Sequence, residues 1–129
     1  MAIEFTPDRA LEMFVHSSDP SVKLSEGAAK KYALEEKDGG CLILEQDAEI
    51  SGSPTRFEIR PLATPEVLKF QKLVEQGHEQ QAMEKSVRGG LVSIDGEKFN
   101  PEKTTLVYFV ETAVALAIID LSLGKLSGN

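Results

Sequence analysis

The sequence predicts an α+β fold, with small antiparallel β-hairpins packed against two long α-helices and shorter N-terminal helices. Three stretches carry that expectation. PTRFEIRPL, residues 54–62, alternates Thr55, Phe57, Ile59 and Pro61 with Arg56, Glu58 and Arg60, the two-residue period of a strand with one buried face. Asp95-Gly96 sits between the short runs 91–94 and 97–99, a strong local signal for a tight hairpin. A last helix over residues 101–123 is apolar around almost its whole circumference from residue 106 on. A chain of 129 residues can build one core but not two, so it reads as a single domain over 1–129, with 1–24 loosely attached.

Taken in order, TPDRALEMFVHSSDP opens like a helix, with Thr6 placed to cap, Pro7 at the first helical position and Asp8 in the first turn. Leu11, Phe14 and Val15 add a short apolar stripe that suits a strand equally well, and Asp19-Pro20 ends the segment. KLSEGAAKKYALEEKDGG offers Ser25 as the cap of a peripheral helix with Ala28, Ala29, Tyr32 and Ala33 inward and Gly39-Gly40 as its stop. Two strand-like stretches follow, 41–46 and 55–61, joined by the polar link DAEISGSP, whose length permits antiparallel pairing without fixing a register. Pro61 closes the second.

Thr64-Pro65-Glu66 opens a helix over residues 65–87. Val67, Leu68, Phe70, Leu73 and Val74 crowd its first half, which is therefore expected to be the buried half, whereas EQGHEQQAMEKS is nearly all polar. Gly77 costs about 1 kcal/mol relative to alanine in a helix interior, which favours a bend or break at Gly77-His78. Gly89-Gly90 ends the helix and reads as a chain reversal. From residue 106 to 123 of the final helix only Tyr108, Glu111, Thr112, Asp120 and Ser122 interrupt the apolar circumference. Either it is the central core helix, or another subunit buries part of it. Leu106, Phe109, Val110, Ala113, Leu116, Ala117 and Leu121 are the candidate partner or oligomer interface, and a charge at Phe109 or Leu116 is expected to disrupt folding or assembly.

The residue pattern offers little to reactive chemistry. His16 and His78 are the only histidines and lie in different elements without HxxxH, HExxH or CxxC, so both read as surface residues and no metal is expected. Neither has a motif that would activate a nucleophile. The glycine pairs follow helices instead of opening them, the reverse of a phosphate-cradling loop, and Asp95-Gly96-Glu97 is too short for a calcium loop. Cys41 is the single cysteine, which excludes an internal disulfide and fits a reducing compartment; beside Leu42 and Leu44 it reads as a buried small hydrophobe. No catalytic residue and no cofactor is expected.

A formal charge of −7 argues against nucleic acid and anionic membranes as partners, and no basic run offsets it. Acidity gathers at Glu35, Glu36, Asp38, Glu45, Asp47 and Glu49, opposed only by Lys37, which reads as a solvated face. Arg56, Glu58 and Arg60 read the same way, as a self-compensating exposed row. MAIEFTPDRA lacks the basic start and apolar run of a signal peptide, and residues 106–119 are too short, and carry Glu111 and Thr112, to form a membrane span. By elimination, function is carried by surfaces.

KKYALEEKDGGCLILEQ, PTRFEIRPLATPEV and RGGLVSIDGEKFNPEKTTLVYFVETAVALAIIDLSLGKLSGN, which together span residues 30–129, resemble in order a class of small tailed-bacteriophage proteins, the tail-assembly chaperones and tail accessory proteins. The shared pattern is a threonine-aromatic strand, Arg-Pro-Leu and a helix, then Gly-Leu, Asp-Gly and a last helix ending in Leu-Ser-x-Leu with a trailing asparagine. The resemblance implies an α+β fold, no catalysis and a homo-oligomer that binds a tape-measure or tail-tube subunit through apolar surface. It also implies a place in the cytoplasm of the infected bacterial host, or in the virion. Two other roles fit the same composition: a structural virion component at a connector or capsid surface, and an acidic inhibitor of a host defence system.

Overall fold

A computed structural model describes residues 11–32 and 39–125. In chain order the elements are β1 (Glu12–His16), β2 (Val22–Leu24), α1 (Glu26–Tyr32), β3 (Leu42–Leu44), β4 (Ala48–Ile50), β5 (Arg56–Ile59), α2 (Thr64–Glu75), α3 (Glu79–Gly90), β6 (Leu91–Ile94), β7 (Glu97–Lys98) and α4 (Tyr108–Ser122). This is an α+β fold, with antiparallel pairing throughout: one sheet runs β3-β1-β5-β6-β7, and β2 pairs with β4 in a second.

β1 occupies an inner position of the large sheet. Phe14 stands opposite Leu44 on one side and Phe57 on the other, and Val15 opposite Ile43 and Arg56; Phe14 and Val15 have no exposed surface. The loose attachment expected for 1–24 is thus corrected for residues 12–24, which supply an inner strand and β2. The Thr6-Pro7-Asp8 helix start lies outside the described residues. A short run with an aromatic and a β-branched residue fits the pleat between two neighbours, where each of its faces finds apolar partners. β1 also separates β3 from β5, so stretches 41–46 and 55–61 do not pair with each other, and the antiparallel strands join into a five-stranded sheet. The link DAEISGSP supplies β4, whose Ile50 pairs with Val22.

The strand period of PTRFEIRPL holds: Phe57 and Ile59 are buried, and Arg56, Glu58 and Arg60 are half-buried on the opposite parity. That row is not self-compensating, however. Arg56 Nε lies 2.7 Å from Glu45 Oε1, Arg60 Nε donates to the Gly89 carbonyl at 3.0 Å, and Glu58 stands opposite Ser93. Asp95-Gly96 does make the hairpin turn between β6 and β7. Asp95 (φ 52°) and Gly96 (φ 82°) both adopt the left-handed conformation of a two-residue turn, and Asp95 Oδ1 accepts the Arg56 N–H at 2.8 Å.

The helix expected over 65–87 is two helices, broken where Gly77 turns to φ 81°. The expected buried half is reversed. α2 buries no residue fully, and Leu68 and Val74 are exposed, whereas α3 buries Ala82, Ser86, Val87 and Gly90. Ala82, Ser86 and Gly90 recur every four residues, and their small side chains let α4 approach closely. At Gly90 a Cβ would lie 2.5 Å from Ile118 Cγ2, so this glycine is a contact point between helices and not the chain reversal expected of it. α4 begins at Tyr108, after a turn over 100–103 in which Asn100 Oδ1 accepts the Glu102 N–H. Its far end is fixed by Ser122 Oγ, which accepts the Leu62 N–H at 2.8 Å and donates to the Ile118 carbonyl. Val114, Ala115 and Ile118 have no exposed surface, which makes α4 the central helix of the core.

Candidate functional site

α4 is buried on one side only. Along its other side, Tyr108, Thr112, Leu116 and Asp120, four residues apart, join Phe109, Ala113 and Ala117 to wall a groove of about 330 Å³ against Tyr32, Cys41 and Leu42. Tyr108 is 67% exposed, Phe109 51% and Leu116 45%, a concentration of large apolar surface unlike any other in the described fold. Isolated exposed hydrophobes need no explanation, but a contiguous group lining a concavity marks a contact surface.

Four of the seven sequence-derived candidates, Phe109, Ala113, Leu116 and Ala117, are brought together here. Leu106 and Val110 are half-buried against the core, and Leu121 is buried within it; none lines the groove. Phe109 and Leu116 reach solvent, so of the two outcomes expected of a charge there, disrupted assembly is the one their exposure favours. In the sequence Tyr108, Thr112 and Asp120 stand only as interruptions of an apolar helix, yet their four-residue spacing through Leu116 is the signal that marks the groove.

The far wall is built by α1 and β3. Ser25 Oγ accepts the Ala28 N–H at 3.1 Å and starts α1, which carries Tyr32 inward. Tyr32 Oη accepts the Leu44 N–H at 3.0 Å and donates to Asp47 Oδ2 at 2.8 Å. Burial pushes the Tyr32 phenol far above its usual range, so it stays a neutral donor. Burial works against the Asp47 charge, but the Tyr32 hydroxyl and Lys31 outweigh it and hold the carboxyl below its ordinary value. Leu42, two residues earlier on β3, lines the groove floor while staying buried. Cys41 is half-buried at the groove wall, not sealed in the core as expected.

His16 is likewise not a surface residue. As the end of β1 it is 6% exposed, with its ring edge-on to Phe109 at 5.6 Å between centroids. Nδ1 accepts the Ser18 N–H at 3.1 Å, while Nε2 is buried with no hydrogen-bond partner. Desolvation lowers its pKa from 6.5, against a smaller opposing pull from Asp19. The unfolded chain thus takes up the His16 proton near pH 6.5 while the folded chain resists it, and stability falls as pH drops below that value. Between pH 7.5 and pH 5.5 the melting temperature of the native chain is expected to decrease, and His16→Gln to flatten that decrease; equal slopes would refute the assignment.

Of the acidic cluster, residues 35, 36 and 38 lie outside the described residues. Glu45 and Asp47 are engaged internally, with Arg56 and with Lys31 and Tyr32, so they are not part of an uncommitted anionic face. Among the described residues no group of three or more His, Cys, Asp or Glu could hold a metal ion, and no helix is long and apolar enough to cross a membrane. No family model, curated protein or solved structure matches the chain.

Proposed function

We propose that the protein is a non-catalytic binding module of phage tail morphogenesis, which holds an apolar segment of a tape-measure or tail-tube subunit in the α4 groove. The observation that carries this reading is the exposure of Tyr108, Phe109 and Leu116 on a helix whose opposite face is the core. Apolar burial supplies affinity without demanding a fixed sequence, and a net charge of −7 keeps the unbound form soluble. The sequence resemblance over residues 30–129 names the class of partner. A homo-oligomer that buries the same groove belongs to this reading, as the form in which the free protein protects its contact surface.

Co-expression with the tape-measure and tube proteins of the same phage tests it. The native chain is expected to co-purify with one of them and to raise its soluble yield. Leu116→Asp is expected to abolish the complex, since an ionised carboxylate cannot be buried unpaired, while leaving the melting temperature within a few degrees of native. A chain that neither binds nor solubilises either subunit refutes the proposal. A complex unaffected by Leu116→Asp moves the contact elsewhere.

A further inference from the structure

The chain carries 21 acidic against 14 basic residues, yet folding gathers Lys69, Lys85, Arg88 and Lys98, with Arg60 beside them, around two clefts whose acidic lining residues among those described are Glu58 and Glu66. One cleft, of about 660 Å³, lies over the β5-β6-β7 part of the large sheet; the other, of about 340 Å³, lies between α2 and α3. Arg88, in the last turn of α3, lines both, so the two meet at its side chain.

The ion pairs found among the described residues join Lys31 to Asp47 and Arg56 to Glu45; Lys69, Lys85, Arg88 and Lys98 form none. Grouping Lys69, Lys85, Arg88 and Lys98 without ion-pair partners among the described residues adds local repulsion that Glu58 and Glu66 offset only in part. Between these charges each cleft carries a partly exposed aromatic side chain, Phe70 in one and Phe99 in the other. A small anion would leave those side chains uncovered. A nucleic acid would bring no aliphatic groups to them and would meet the −7 net charge.

We propose that the paired clefts dock an acidic polypeptide segment that carries apolar side chains, its carboxylates on the cationic rim and its apolar groups on the floor. This is a second contact surface, built from other residues than the α4 groove and of opposite chemistry. It makes the protein a two-sided adaptor, able to hold an apolar segment on one side and an acidic one on the other.

The test is fluorescence anisotropy of the full-length protein with a labelled peptide of glutamate and aspartate interspersed with leucine and phenylalanine. Saturable binding is expected, weakening from about 0.1 M to about 1 M salt as the Debye length shrinks from about 10 Å to about 3 Å. Lys85→Glu/Arg88→Glu, at exposed positions, is expected to weaken binding by about tenfold or more with unchanged melting, and Lys69→Glu/Lys98→Glu by a similar factor. Leu116→Asp should leave it unchanged. The proposal is overturned if no saturable binding occurs, if the charge-reversed variants bind as tightly as the native chain, or if single-stranded DNA of equal charge competes as well as the peptide. Those results would leave the α4 groove and its partner unaffected.

Discussion

Phe14→Ala lowers the unfolding free energy by about 3–5 kcal/mol, a large share of the roughly 5–15 kcal/mol available to a domain of this size. The side chain has no exposed surface and faces Leu44 and Phe57 across two strands at once, so its removal leaves a cavity that neither neighbour can fill without breaking register. Urea unfolding reads the loss as a lower midpoint with an unchanged slope. Leu68→Ala is the contrast, because Leu68 is 58% exposed on α2 and its truncation should stay within about 0.5 kcal/mol of native. Equal midpoints for Phe14→Ala and the native chain would return β1 to the periphery.

Gly90→Ala is expected to destabilise by about 1–3 kcal/mol, although alanine is normally the better helix residue by about 0.5–1 kcal/mol. The sign reverses because the new Cβ would stand 2.5, 2.8 and 2.9 Å from Cγ2, Cδ1 and Cγ1 of Ile118, a side chain with no exposed surface and nowhere to move. A double-mutant cycle separates this clash from any change in the unfolded chain. Ile118→Ala alone costs about 2–5 kcal/mol by leaving a cavity. Combined with Gly90→Ala the loss should be smaller than the sum, with a coupling of about 0.5–3 kcal/mol, since each substitution relieves what the other creates. Strict additivity would mean that α3 and α4 separate to accept the methyl group.

The sequence disclosed the features that depend on neighbours in the chain. Asp95-Gly96 announced its turn because both residues tolerate a positive φ, and the parity of Phe57 and Ile59 identified their buried face. Gly77 marked the break between α2 and α3 by the same local logic. What depends on distant partners stayed hidden. Hydrophobicity promoted Leu68 and Val74 to the core and demoted Ala82, Ser86 and Gly90, yet a central helix is reached best by small side chains. His16 looked like a surface residue because nothing in the sequence says that β1 has a strand on each side. At the candidate site, the apolar excess of residues 106–121 marked the helix that walls the groove. Which side remained open was decided by α3 and β3, so Ala113 and Ala117 line the groove while Leu121 faces inward.

The placement of β1 between β3 and β5 also bears on how the chain is made. β1 leaves the ribosome before either neighbour, and about 40 further residues must be synthesised before β5 is complete. At about 5–20 residues per second, Phe14 and Val15 wait roughly 2–8 s for the second of their two sheet neighbours. During that interval the nascent protein presents an apolar strand that lacks at least one partner. A module read here as a guardian of other chains' apolar segments would itself depend on shelter at the moment of its birth.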